Sequence, residues 1–351
     1  MKKILVVRFK QIGDAILSSV ICSALKETYP DSEIDYVVYD YVAPLFFNQP
    51  HIDNVISISE EERKNPLKYI KKVWNVTRKK YDIVIDIMST PKSEVFTLFS
   101  MGAEFRIGRE KKWRGYTYTH SIPEPSDELD KREKFLEMLR PLEKTGVKVS
   151  FNSNYYLKIS EEEKNTLRER MKECGVDFNK IIFAFAINSR RAGKIYPLDL
   201  MMEVIKKCLK EYDCEIIFYY SPSEKEYAKK THELLGNDSR IFTNIETDSI
   251  RELAALLCNC DMFIGNEGGP RHLSEALGTP SFSIFNPGAN KKNWLTKGSK
   301  CHKAIEFNDL DMDGTNMTYE EKYRAIKPEM ILAGVRDIME NCVLPNKKME
   351  R

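Results

Sequence analysis

Long hydrophobic runs are what this 351-residue chain most plainly lacks. No window approaches the ~18 apolar residues that a membrane-spanning helix needs. The opening run, residues 4–7, is far too short for a secretory signal and reads as a buried strand. An excess of one charge is missing too. Lys and Arg number 55 against 53 Asp and Glu, so any electrostatic recognition must come from local clusters. That balance, with no nucleic-acid module in view, argues against nucleic-acid binding. Glycine and proline, at 16 and 15 residues, are too sparse for a long disordered stretch. The eight cysteines contain no C-x-x-C, and the one C-x-C, Cys258 and Cys260, has no second half elsewhere. Zinc pairing and a dithiol redox centre are thereby excluded. The cysteines read as reduced, mostly buried thiols of a cytosolic protein.

What is present is a repeated alternation of short apolar runs and amphipathic helices. The first half offers strands at residues 4–7, 34–39, 55–58 and 83–87, with a helix over 14–28. Ile16, Leu17, Val20, Ile21, Ala24 and Leu25 form its stripe. The second half offers strands at 181–187, 215–220, 241–243, 262–264 and 281–285. Helices begin near Leu198, Ser223, Ser249 and Pro270, and Ser249 with Glu252 fits a capping box. Strands of this kind alternating with helices make parallel sheets covered on both faces. The predicted class is α/β, with two doubly wound, Rossmann-like domains facing a central cleft. Domain one is expected over 1–150 and domain two over 151–327, with a final helix in 328–351 that opens on Pro328.

Ligands of parallel sheets bind beyond the carboxyl ends of the strands. Three loops there carry chemistry. The loop 8–14 lacks both the G-x-G-x-x-G of a dinucleotide site and a G-K-[ST] phosphate loop, which argues against nicotinamide, flavin and P-loop chemistry. It brings a carboxylate, Asp14, and a cation, Lys10, to the strand end; a plain helix cap is the ordinary alternative for Asp14. The loop 264–272 runs strand, glycine turn, helix. Gly268 and Gly269 permit close backbone approach, Pro270 sets the first turn, and the free amides there attract an anion. Arg271 and His272 add donors, although an ordinary glycine turn would look the same. The loop 188–197 places Arg190, Arg191 and Lys194 directly after a core strand, where phosphate binding competes with a solvated charge run. Two anion-attracting loops and one carboxylate suggest a diphosphate leaving group and a base for a hydroxyl.

At these loops the chain resembles glycosyltransferase family 9, the lipopolysaccharide heptosyltransferases. The matching pieces are Ile12-Gly13-Asp14 after the opening strand; Tyr81-Asp82-Ile83-Val84-Ile85-Asp86; Gly102 with Arg106-Ile107-Gly108; Lys194 followed by Tyr196-Pro197; Asn266 to His272 running on to Pro280; and Ile326-Lys327-Pro328-Glu329. The resemblance implies a GT-B fold whose final helix returns to the N-terminal domain. It implies inverting transfer from a nucleotide sugar, typically ADP-heptose, to the lipopolysaccharide inner core. Asp14 then looks like the general base, Lys194 like a donor phosphate and sugar contact, and Asn266 to His272 like the diphosphate cradle. The family pattern in that cradle is Asn-Asp-Ser/Thr-Gly-Pro-Met-His. Here Glu267, Gly268 and Arg271 depart from it, and an extra cation at 271 is expected to strengthen diphosphate binding. No cofactor is required; Mg²⁺ on the donor is compatible but not indicated, since Asp311 and Asp313 fall short of a calcium loop.

The basic residues cluster twice in the first half. Eight Lys/Arg and no acid lie between Arg63 and Lys80, where Leu67, Ile70, Val73, Trp74 and Thr77 form an apolar stripe. Arg106, Arg109, Lys111, Lys112 and Arg114 surround Trp113. An anionic glycolipid acceptor and peripheral contact with the inner face of the inner membrane would suit both, and a solvated face is the bland alternative. Rival readings are a hexosyltransferase for capsule or O-antigen, a nucleotide-sugar epimerase, and a protein that only binds a sugar nucleotide or glycan.

Overall fold

The computed structural model describes residues 1–112, 115–189 and 191–349. The chain divides into two units, Met1–Lys158 and Ile159–Arg351, eight residues beyond the boundary expected from the sequence.

In the first unit six strands form one parallel sheet: β1 (Lys3–Val7), β2 (Glu33–Tyr39), β3 (Asn54–Ile58), β4 (Ile83–Asp86), β5 (Phe105–Arg109) and β6 (His120–Ile122). Their order is β3-β2-β1-β4-β5-β6, so the direction of winding reverses between β1 and β4. Leu5, Val7 and Val84 are fully buried and pack with Val37, Tyr69, Val73 and Phe96, which is why these strands read as unbroken apolar runs. β5 and β6 escaped the sequence reading because β5 carries two arginines and β6 is only three residues long. Gly108 in β5 is required by packing: a Cβ there would fall 2.2 Å from the Tyr118 ring.

The second unit repeats the plan with β7 (Ile181–Ala186), β8 (Cys214–Phe218), β9 (Ile241–Phe242), β10 (Met262–Asn266), β11 (Ser281–Ile284) and β12 (His302–Ile305). All pairs are parallel, in the order β12-β11-β10-β7-β8-β9, and the reversal falls between β7 and β10. At that seam Gly265 has φ +148° and would place a Cβ 2.4 Å from the Ala186 carbonyl oxygen, so only glycine fits. Ser249 caps the helix Ile250–Cys258 by accepting from the Glu252 amide, but Glu252 returns to the Asp248 amide, so half of the expected box forms.

The helix Pro328–Ile338 buries Ile331, Leu332, Val335 and Ile338 in the cluster that holds Phe282 and Ile284 of β11. Beyond it, Lys347 reaches the Lys180 carbonyl at 2.7 Å and Asp261 at 2.6 Å. Over its described length this tail packs with the strands and helices of the second unit. Cys301 and Cys342 form a disulfide with Cα atoms 5.7 Å apart, which corrects the reading of eight free thiols. Their separation of 41 residues carries no spacing signal; the final helix brings them together by lying along β11 and β12. No helix among the described residues is long and apolar enough to cross a membrane.

Candidate functional site

Both loops that follow a switch-point strand carry the groups singled out above, one set in each unit. In the first unit the helix Ile12–Ser18 begins two residues earlier than expected, with Gln11 as N-cap and Asp14 in the first turn. Asp14 is therefore not the cap. Its Oδ1 accepts from Arg8 Nη2 at 2.6 Å, and the carboxylate keeps partial exposure while Arg8 is buried. The Arg8 guanidinium lies 4.9 Å from the Phe135 ring centre and 3.5 Å from the Ile87 carbonyl oxygen, so β1, β4 and the helix Lys131–Leu136 together fix it. A cation over an aromatic face with a carboxylate in front is a rigid mount for that carboxylate. Arg8 lies inside the flagged loop, yet no pattern of residues signals this role. Lys10 is exposed at the same strand end. Lys131 nearby has its ammonium pushed down, first by burial and then by Arg8.

Beside this pair, at the end of β4, Asp86 is fully buried. It accepts from the amides of Met88 at 3.0 Å and Ser89 at 2.9 Å and from the Tyr118 hydroxyl at 2.8 Å. Burial outweighs these bonds and lifts its carboxyl to about 6.

The second unit presents an uncapped helix start. The helix Gly269–Leu277 starts from Gly268 with Pro270 in its first turn and no side-chain cap, leaving first-turn amides for a ligand. Asn266 holds the two loops together. Its Oδ1 accepts from the Tyr196 amide at 2.9 Å, and its Nδ2 donates to the Ala186 carbonyl at 3.2 Å. Glu267 is buried against Lys194, whose Nζ lies 3.2 Å from Oε2, while Asn286 Nδ2 donates to Oε1. The Tyr319 hydroxyl is within hydrogen-bond distance of both Asn286 Oδ1, at 2.7 Å, and the Gly193 carbonyl, at 2.6 Å. Burial and the neighbouring Glu267 push that phenol up. Asn286 and Tyr319 were not foreseen. Asn286 directly follows a predicted strand and could have been flagged on that ground; Tyr319 arrives from a distant helix and could not.

Several predicted contacts face elsewhere. Arg271 is fully buried and turns inward: Nη1 meets Glu275 at 2.8 Å and Nη2 donates to the Trp294 carbonyl at 2.6 Å. Glu275 in turn accepts from the Thr296 amide at 3.2 Å, so this cation pins the 294–296 segment instead of waiting for a diphosphate. His272 is buried beside it, with Nδ1 2.5 Å from Arg271 Nη2. Arg106 and Arg109 are likewise buried. Arg106 donates to the carbonyls of Thr117, Met101 and Ala103, and Arg109 to those of Pro123 and Lys134. Long aliphatic stems let guanidinium groups cross-link backbone inside the fold. Lys111 and Lys112 stay at the surface. Arg114, its neighbour Trp113, and Arg190 lie outside the described residues.

Half of the first basic cluster is neutralised by acids outside its own sequence window. Lys64 pairs with Glu60 at 2.6 Å, Lys72 with Glu62 at 3.9 Å, and Lys68 with Glu61. Lys79 sits between Glu33 at 2.8 Å and Asp35 at 2.6 Å. Among the described residues no three His, Cys, Asp or Glu side chains gather as a metal site would require.

Two doubly wound parallel units, each with polar and charged groups at the carboxyl side of its switch point, define a GT-B protein. The solved structure of Escherichia coli ADP-heptose lipopolysaccharide heptosyltransferase II shares the fold, with a TM-score of 0.75, 19% identity and 97% of this chain and 98% of that one covered. The chain belongs to glycosyltransferase family 9 (heptosyltransferase), whose model matches residues 70–301, and it is a glycosyltransferase. Asp14 lies outside that span. Among curated relatives, lipopolysaccharide heptosyltransferase 1 of Campylobacter coli is 27% identical over 83% of this chain and 86% of its own length. Lipopolysaccharide heptosyltransferase 3 of Escherichia coli K12 is 25% identical over 78% and 79%.

Proposed function

We propose that this enzyme transfers heptose from ADP-heptose to the lipopolysaccharide inner core with inversion at the anomeric carbon. The observation that carries the reading is the pairing of chemistries at the ends of switch-point strands: a mounted carboxylate after β1 and an uncapped helix start beside a lysine after β10 and β7. The names of the relatives supply the sugar.

In this mechanism Asp14 takes the proton of the acceptor hydroxyl as its oxygen attacks C1. The new C1–O bond forms on the face opposite the diphosphate, the old C1–O bond breaks, and the electron pair leaves with the phosphate. The transition state is oxocarbenium-like, as in other glycosyl transfers. Lys194 and the first-turn amides of Gly269–Leu277 receive the growing negative charge. Lys194 must loosen its hold on Glu267 to do so, which frees that carboxylate for donor sugar hydroxyls. Lys10, Lys111 and Lys112 face the anionic acceptor. The step needs no cofactor.

One observation favours a second donor. Glu267 stands where the family carries Asp and is fixed by Asn286, so the sugar hydroxyls meet a longer and differently anchored acid. A hexose donor for another surface glycan is the reading this supports. Thermal protection by ADP-heptose against UDP- and ADP-hexoses decides between them. Protection by ADP-heptose that disappears in Lys194→Ala, followed by heptose transfer to a heptose-free core acceptor, is expected. Protection by a UDP-hexose alone would overturn the heptose assignment.

A further inference from the structure

The helix Pro66–Thr77 buries one stripe and exposes another. Tyr69, Val73 and Thr77 face the core. Leu67, Ile70 and Trp74, spaced i, i+3, i+7, are instead 82, 40 and 54% exposed. This splits the single stripe expected from the sequence. The same spacing continues through Lys71 and the adjoining Arg78, so cations border the exposed apolar row. Phe99, just past the helix Glu94–Leu98, meets the Trp74 ring edge-on at 5.6 Å, and its chain neighbours Leu98 and Met101 are exposed as well. Single exposed apolar residues are ordinary, but this group is concentrated on one helix face and the end of its neighbour.

Charge decides what covers it. The lysines that pair with Glu60, Glu61 and Glu62 lie on the flank toward the helix Glu60–Lys64. Lys71, Arg78 and Lys80 are exposed and make no ion pair within the described residues, and no acid occurs between Arg63 and Lys80. Trp at the level of the headgroups, aliphatic side chains just below and Lys/Arg alongside is the composition of an interfacial helix.

We propose that this face of the first unit docks on an anionic lipid bilayer, with Leu67, Ile70 and Trp74 inserted and Lys71, Arg78 and Lys80 against the headgroups. The inference rests on the proposed function only for its purpose, which is to bring the enzyme to a lipid-borne acceptor; the contact itself needs no acceptor. It moves the membrane contact away from the Arg106–Arg109 region, where the guanidinium groups are committed to backbone carbonyls.

Sedimentation with vesicles of phosphatidylcholine alone, and of phosphatidylcholine mixed with phosphatidylglycerol, tests the proposal. Three free cations near an anionic surface predict binding on the order of a hundredfold tighter to the mixed vesicles. The variant Leu67→Ser/Ile70→Ser/Trp74→Ser should bind them at least tenfold more weakly while keeping a cooperative thermal transition, lowered only by the loss of the Trp74–Phe99 contact. Lys71→Gln/Arg78→Gln/Lys80→Gln should erase the preference for the anionic lipid. Equal vesicle binding by wild type and the apolar variant would overturn the proposal. So would a wild-type dimer that the apolar variant dissociates, since a second copy would then cover the stripe. Transfer to a lipid-free core oligosaccharide should be the same in both variants, so failure of docking and failure of the transferase reading show up in different assays.

Discussion

The two units share a strand order and differ at the turn that follows their switch-point strands. The first places a buried Arg8 behind a partly exposed Asp14. The second places glycines and an uncapped helix start there, beside the Lys194–Glu267 pair. The comparison teaches that one scaffold offers a mounted carboxylate or a bare helix start depending on a handful of residues. A charged side chain needs a mount, whereas backbone amides need only the absence of a Cβ and of a cap.

The sharpest way to break that contrast is Asp14→Asn. It should lower transfer by roughly 10²–10⁴ while leaving ADP affinity intact, measured by steady-state kinetics and calorimetry. Near-normal turnover would make the Arg8–Asp14 pair merely structural. On the other unit, Arg271→Met should act on stability. It strands Glu275 without its buried partner, at a cost of about 3–5 kcal/mol in urea unfolding. Loss of ADP affinity in the folded variant, with stability unchanged, would restore Arg271 to the diphosphate.

Asp86 gives a pH test confined to the first unit. Its carboxyl is raised to about 6, so the stability it contributes is complete at acid pH and is lost as pH rises through 6. Wild type should therefore lose up to about 3 kcal/mol relative to Asp86→Asn between pH 4 and pH 7. His51, buried and held down to about 4, works in the opposite sense over the same range, so the difference between the two proteins is the readout. Parallel urea midpoints in both would show that Asp86 does not titrate there. The smallest effect is expected from Lys10→Gln/Lys111→Gln/Lys112→Gln, which should raise the acceptor KM a few-fold and leave the donor KM and stability alone. Equal changes in both KM values would count against an acceptor role.

The fold was legible because buried parallel strands are apolar on both faces and helices between them are periodic. The loops were legible because ligands of parallel sheets bind beyond the carboxyl ends of the strands, so the segment after each apolar run could be searched. Side-chain direction was not. Arg106, Arg109 and Arg271 look like surface cations in sequence, and only the fold shows carbonyls and a carboxylate waiting inside. The lysines of the helix Pro66–Thr77 look unopposed until Glu60, Glu61 and Glu62 fold against them. The Cys301–Cys342 bond and the convergence of Tyr319 on Asn286 depend on tertiary approach across long separations.

The amide of Asn266 has a consequence for how such an enzyme changes its preferences. One side chain clasps the end of β7 and the backbone before Pro197, so neither loop can drift without the other. Variation is thereby steered away from the frame and onto what projects from it. Glu267, Gly268 and Asn286 can be exchanged for other residues like bits in a fixed chuck; on the proposed reading this would retune which sugar is gripped while the phosphate stays where it was.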